Sequence, residues 1–390
     1  MLRRLYRAVR TSLRAFLPPR KRCDDIRAST QASLEAMERK LHQSLEDVQQ
    51  NLQRTLTDRF TYTDNLIRDE ATRLSDQLNL VLRDLSRLTD RQLEYQRETR
   101  LLLGQMSLPP TEFWLDRLKP GGAPGQGVFN ESVLCRQDSF EQAYFAYWVG
   151  KLGYGLHYHR KLWEFVFICQ TLFERGLLRS GARGLGFGVG EEPLSAYFAS
   201  QGCRITGTDM ASEAAQQSGW VDTAQHAAGK EALRISALCP DPVFDANVEF
   251  RFCDMNQIPA DLVDYDFCWS ACALEHLGSI DQGLAFIERS LDCLKPGGVA
   301  VHTTEFNLSS DDETVASGGT VLFRRRDLKE LARRMAAAGH RMAPLNLDPG
   351  FGVVDRYIDV PPYRDEPHLR LALSGYAATS VGVIIQKRSD

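Results

Sequence analysis

From Lys21 to Leu103 the chain contains neither glycine nor proline. Its apolar or near-apolar positions over this stretch are Leu34, Met37, Leu41, Leu45, Val48, Leu52, Leu56, Phe60, Thr63, Ile67, Ala71, Leu74, Leu78, Val81, Leu85 and Leu88, at gaps of three and four. The mean gap is about 3.6 residues, one turn of α-helix. From Ala71 to Leu88 the gaps alternate as in a heptad seam; upstream, doubled fours relax a left-handed supercoil. Most other positions are polar. One narrow stripe on so long a helix has no cover within its own turn, so residues 23–104 are predicted to be a coiled coil that self-associates into a homo-oligomer. Docking of the helix on the globular part is the plainer alternative.

Residues 1–22 carry seven arginines, one lysine and no acid. Leu2, Leu5, Tyr6, Val9, Leu13, Phe16 and Leu17 share one helical face, which predicts a basic amphipathic helix ended by Pro18-Pro19. It is either a solvated end or a helix in peripheral contact with an anionic membrane. Residues 105–155 read as a proline- and glycine-rich linker followed by lid-like, aromatic-rich helices. Their aromatics are most simply core. Tyr154, His157, Tyr158, His159 and Trp163 are a candidate pocket lining instead.

After Gly184 the period changes. Short β-like runs at 182–187, 203–209, 248–254, 265–270 and 297–305 alternate with helix-like runs at 193–202, 280–294 and 326–339, and 379–388 is a last strand. This alternation predicts an α/β domain over residues 156–390: a Rossmann-like, mostly parallel sheet with helices on both faces. Ligands of such sheets sit at the carboxyl ends of the strands.

Composition excludes more than it assigns. At 43% hydrophobic, 25% charged and net charge −4, the chain is globular and gives no support to nucleic-acid binding. No apolar run is long enough to span a membrane. Nine cysteines are scattered without a CxxC pair, the pattern of reduced thiols in a cytoplasmic protein, with no metal site indicated.

The run Gly184, Gly186, Gly188, Gly190 opens a helix, as a nucleotide-cradling loop does. A P-loop is excluded because no GK[ST] follows, and the dinucleotide spacing GxGxxG fails at Val189 and Glu191. Glu191 and Glu192 at the helix start disfavour a pyrophosphate and suit a cationic ligand. In this order and spacing, Gly186–Gly190, Asp209 at the end of the second strand, Asp254 and Met255 after the third, Leu274-Glu275-His276 after the fourth, and the turn Leu294–Gly298 resemble the class I S-adenosylmethionine-dependent methyltransferases. The resemblance implies S-adenosylmethionine as cofactor, held by Gly186, Gly188, Gly190, Asp209, Asp254 and Met255. Asp209 would take the ribose hydroxyls, and Met255 would pack on the base. Where the family carries an acid before the glycines, this chain has Gly184. For a hydroxyl acceptor, His276 and Glu305 are the candidate bases. The overall arrangement is also similar to bacterial methyltransferases of cell-surface polysaccharide assembly. It implies a sugar in a lipid-linked or surface glycan as acceptor, at the inner membrane surface. A diffusible small-molecule acceptor and a catalytically silent scaffold are the alternatives. Arg324–Arg326 and the Asp359–Tyr363 turn are read as structural.

Overall fold

The computed structural model describes residues 19–58, 64–105, 114–211 and 226–389. The chain divides into two compact units, residues 1–90 and 91–390. The first holds helix α1, Pro19–Asp58, and most of α2, Asp64–Gln105. Proline at the first helical position suits α1, because its missing N–H is one that no helix start satisfies. Both helices match the glycine- and proline-free stretch. Seam residues Phe60 and Thr63 and the basic face Leu2–Leu17 lie outside the described residues. On α1 and α2, Met37, Val48, Val81 and Leu88 are more than half exposed.

The second unit contains a mixed sheet. Its main path runs through β1 (Arg183–Phe187), β2 (Arg204–Asp209), β3 (Val248–Phe252), β4 (Tyr265–Ala271), β5 (Leu294–Asn307), β6 (Leu371–Leu373) and β7 (Tyr376–Gln386), in the spatial order β6-β7-β5-β4-β1-β2-β3, and an eighth short strand, Arg341–Met342, pairs with β7 off this path. Strands β3, β2, β1, β4 and β5 are parallel. β7 returns antiparallel along β5, and β6 pairs antiparallel with β7. Strand order reverses between β1 and β4, the switch point at which such sheets open a crevice.

Alternation along the strands decides which helix covers which face. Phe267 and Trp269 of β4, Val299 and Val301 of β5 and Ile384 of β7 join one apolar cluster; Cys268, Ala300, Val383 and Ile385 join another. The first is closed by α3 (Ala143–Lys151), α4 (Arg160–Glu174) and α5 (Leu194–Ser200), the second by α6 (Ile280–Ser290) and α7 (Arg325–Ala337). In α4, Trp163, Val166, Phe167, Ile168 and Leu172 are fully buried. Each contributes about 1.5–3 kcal/mol relative to exposure.

The segment expected as linker and lid is part of this body from Trp114 onward. Trp114, Phe129, Phe140 and Trp148 lie in the α4 cluster. Glu174 accepts from the Val128 and Phe129 amides at 2.7 and 3.1 Å, and Trp148 Nε1 donates to Gln170 Oε1 at 2.6 Å. These aromatics are core residues, as the plainer reading of the sequence has them, although the flanking glycines and prolines look like a linker. Arg324 caps α7 through Asp327, and Arg326 holds Asp312.

Candidate active site

The reversal between β1 and β4 opens a cavity of about 950 Å³, at the upper end of the roughly 300–1,000 Å³ of small-molecule sites. The turn after β1 forms its floor. Gly188 and Gly190 have φ of +57° and +50°, which only glycine adopts cheaply. A Cβ on Gly188 would stand 2.8 Å from Ala273 Cβ, so here the two loops touch across the switch point. Gly186 lies inside β1 and does not line the cavity; its missing Cβ makes room for Trp269 and Val189. At Gly184, a Cβ would strike the Phe267 ring at 2.4 Å, so this position has no space for an acid.

Asp209 ends β2 on the cavity wall and is 8% exposed. Its Oδ2 accepts from the amides of Gly190 and Ala227, each at 3.0 Å, and its Oδ1 from Met210 at 2.8 Å. A carboxylate has about four acceptor sites. The three bonds fix its direction and leave about one for a ligand hydroxyl, fewer than the two-hydroxyl contact expected from the sequence. Asp254 is exposed on the cavity rim and accepts from Asn256 N at 2.8 Å. Met255 is buried beside Gly188. Phe252, 51% exposed, and His226 also line this end and were not singled out from the sequence.

Glu192 is the cavity's other acid of note. Its Oε1 accepts from Trp269 Nε1 at 2.7 Å. Burial pushes its carboxyl up to about 8, against the pull of the Trp269 bond and Lys161. Lys161 Nζ is already engaged by Glu164 at 2.9 Å and the Ala271 carbonyl at 3.2 Å.

The two candidate bases separate. His276 lines the cavity, with Nδ1 2.7 Å from the Gly319 carbonyl. A carbonyl only accepts, so Nδ1 carries the proton of the neutral ring and Nε2 keeps its lone pair. Glu275 Oε1 is 3.9 Å from Nε2, and its Oε2 accepts from Thr304 Oγ1 at 3.0 Å. Glu305, in contrast, does not line the cavity. It is 3% exposed and in direct contact with Arg160, which also reaches Glu164 at 3.5 Å. Burial raises its carboxyl above the usual carboxylate range, against the pull of that guanidinium. Its expected role as a base is therefore corrected: the side chain is one half of a buried ion pair. Cys272, Glu275 and Glu305 come within 4.8 Å of one another, the geometry of a small metal site, but the Arg160 guanidinium touches both Glu305 and Cys272 there. His302 is buried between Ser270 and Ser290 and held down to about 3 by burial, as its place on the strand implies.

Of the aromatic cluster before α4, Tyr154, His157 and His159 line the cavity, whereas Tyr158 and Trp163 are core. Asp365 joins them from the turn after Asp359–Tyr363. Within that turn Asp359 is fully buried and bonds His368 Nδ1 at 2.6 Å, and His368 stacks on His159 at 4.8 Å.

Residues 185–302 match the family described as a methyltransferase domain. No curated protein matches the chain. Among solved structures, the 1,6-didemethyltoxoflavin-N1-methyltransferase of Burkholderia thailandensis, with S-adenosylhomocysteine bound, is 19% identical over 56% of this chain and 76% of that one, with a TM-score of 0.31. Phosphoethanolamine N-methyltransferase 2 of Haemonchus contortus, in complex with S-adenosyl-L-methionine, is 16% identical over 56% and 51%, with a TM-score of 0.34. An S-adenosylmethionine-dependent methyltransferase from Methanosarcina mazei is 17% identical over 56% and 98%, also at 0.34. The family match spans β1 to the middle of β5, the strands that frame the cavity. Residues 185–302 are thus similar to the methyltransferase-domain family over those strands.

Proposed function

We propose that the protein transfers the cofactor's methyl group to a hydroxyl of a sugar in a lipid-linked or surface glycan. The observation that carries this reading is the place of His276 on the cavity wall, its Nδ1 facing the Gly319 carbonyl and its Nε2 3.9 Å from Glu275 Oε1, a carboxylate that would face the charge of a protonated ring. A hydroxyl acceptor needs such a base; a scaffold that had lost catalysis does not. The residues fit the cofactor. Asp209 has one acceptor site left, Gly188 and Gly190 let the backbone approach, and Met255 with Phe252 offers an apolar surface for a base. When bound, S-adenosylmethionine supplies an electrophilic methyl on a sulfonium. The protein's own tasks are to orient the acceptor, exclude water and accept the hydroxyl proton at His276 Nε2. The basic segment 1–22 and the long helices α1 and α2 support an acceptor at a membrane surface, where such glycans are assembled.

Replacement of His276 by Gln should lower kcat about 10²–10⁴-fold while leaving S-adenosylmethionine affinity unchanged by calorimetry. An unchanged kcat would remove His276 from the chemistry. Transfer of radiolabelled methyl into lipid, polysaccharide and small-molecule fractions of the native host tests the acceptor. Label confined to the small-molecule fraction would replace the glycan reading with a diffusible acceptor.

A further inference from the structure

The cavity follows the carboxyl edge of the sheet. Asp254 and Asp209 stand at the ends of β3 and β2, Gly188 follows β1, and Ala271 to Ala273 follow β4. Beyond β4 the wall is made by the segment leading into α4. That segment is fastened over β5 and β7, because its Arg160 contacts Glu305 of β5 and Ser380 of β7. Adjacent strands are ~4.8 Å apart, so the β3–β2 end, which takes the nucleoside, and the β5–β7 end are separate places in one cavity.

We propose that the β5–β7 end, bounded by His157, His159 and Asp365, is the acceptor site, and that it takes an uncharged, hydroxylated ligand and excludes a phosphate or carboxylate. The proposal rests on the sugar-hydroxyl reading for its substrate class, but its charge rule stands on the wall itself. Among the described lining residues the charged groups are the acids Glu191, Asp209, Asp254 and Asp365 and the cation Lys161, with Glu192 held largely protonated by burial. Lys161 is paired with Glu164 at 2.9 Å, which offsets its charge, and a second of its three donors goes to the Ala271 carbonyl, so the balance of charge on the wall is acidic. Phosphate and carboxylate sites are built on arginine forks or free lysines; this end presents Asp365 instead.

The polar atoms there suit hydroxyls, which both donate and accept. His157 Nδ1 lies 2.8 Å from the Gly155 carbonyl, which leaves its Nε2 as an acceptor. His159 Nδ1 accepts from Lys161 N at 3.1 Å, which leaves its Nε2–H as a donor. Burial and the neighbouring His368 hold His159 down to about 3, so it stays a neutral donor and adds no positive charge.

The test uses the full chain loaded with S-adenosylhomocysteine. Binding is measured for methyl glycosides of the gluco, galacto, manno and 6-deoxy series and for their uronic acid and 1-phosphate counterparts. The neutral members of the best series should bind at least tenfold tighter than their anionic counterparts. Asp365→Lys should narrow that gap at least fivefold without changing affinity for S-adenosylhomocysteine. A 1-phosphate that binds as well as its neutral partner overturns the charge rule, as does a panel in which no member binds. Methyl transfer from S-adenosylmethionine to the same panel separates the two readings. Selective binding of neutral sugars with no transfer to any would end the sugar O-methylation reading and leave the charge rule standing; transfer to anionic and neutral sugars alike would do the reverse.

Discussion

Asp209 uses three acceptor sites on backbone amides from two loops, Gly190 on one side and Met210 and Ala227 on the other. It therefore builds the site as well as binding at it. Asp209→Ala should weaken cofactor binding by about 1–3 kcal/mol and also lower stability, because buried amides lose their partner. Asp209→Asn, which keeps one oxygen, should lose affinity with a smaller fall in melting temperature. Equal melting temperatures for the two variants would contradict the structural half of this account. Glu192 gives a prediction in pH. Its carboxyl sits at about 8 in the folded protein, against an ordinary value of about 4.3 in an unfolded chain. Across that window the folded state holds the extra proton, so this group's contribution to stability falls as pH rises. Glu192→Gln should flatten the decline, so that the variant gains melting temperature over the native protein from pH 6 to pH 8.5. A constant difference across that range would show that the carboxyl is already charged at pH 6. The charged groups facing it are Lys161, Glu164 and Asp209, with Tyr154 and Cys169 also within reach of its field. Asp209 and the glycines were legible in the sequence because strand ends follow from period and glycine spacing. The load on Asp209 was not, since two of its three amide partners are set by the close approach of separate loops.

At the scale of elements, α4 is tied to β5 by Arg160 and Glu305, 145 positions apart in sequence and both shielded from water. The pair also reaches Glu164, Cys272 and Ser380, which join α4 to β4 and β7. Removing one partner of a buried pair leaves an uncompensated charge, so Glu305→Ala should cost about 3–5 kcal/mol, read as a fall in the urea midpoint. Arg160→Met combined with Glu305→Leu should recover much of that loss. A Glu305→Ala protein of native stability without activity would restore the catalytic role that the sequence assigned to this residue. Here lies the limit of sequence reading. Glu305 stands near the carboxyl end of β5, where a ligand-facing acid is expected, and nothing local there announces an arginine arriving from another helix. Residues 114–155 read as linker and lid with aromatics that are most simply core, and from Trp114 to Trp148 those aromatics do pack into the cluster that holds Phe267 and Trp269 of β4. By contrast, the β–α alternation from Arg183 to Ala337 gave elements close to those observed, because each strand's burial pattern is a local property of its own residues.

At the scale of the whole chain, α1 and α2 present a question of cover. Among the described residues, Met37, Leu41, Val48 and Leu52 of α1 and Leu74, Val81, Leu85 and Leu88 of α2 are 38–61% exposed. Each exposed leucine or valine forgoes about 1.5–3 kcal/mol of burial, and their recurrence along one seam is what a second copy of the same seam would bury. The chain of 44.0 kDa should therefore scatter light as a multiple of that mass, whereas residues 105–390 alone should remain folded at a lower order. Trp114 and everything packed on it stay in the shortened chain, so loss of order would not reflect loss of the core. The same oligomer in both would refute self-association through the helices. Oligomerisation matters for the arginine-rich segment 1–22 as well. A polybasic segment gains about 1 kcal/mol per charge near an anionic leaflet, screened by salt, and copies gathered into one particle add avidity without new contacts. Full-length protein should co-sediment with anionic vesicles at low salt and be released at high salt. Arg3, Arg4, Arg7 and Arg10 changed together to Glu should abolish sedimentation without altering the oligomer, and deletion of residues 23–104 with residues 1–22 retained should weaken it through lost avidity. Sedimentation indifferent to the four charge reversals would place any membrane contact elsewhere on the molecule.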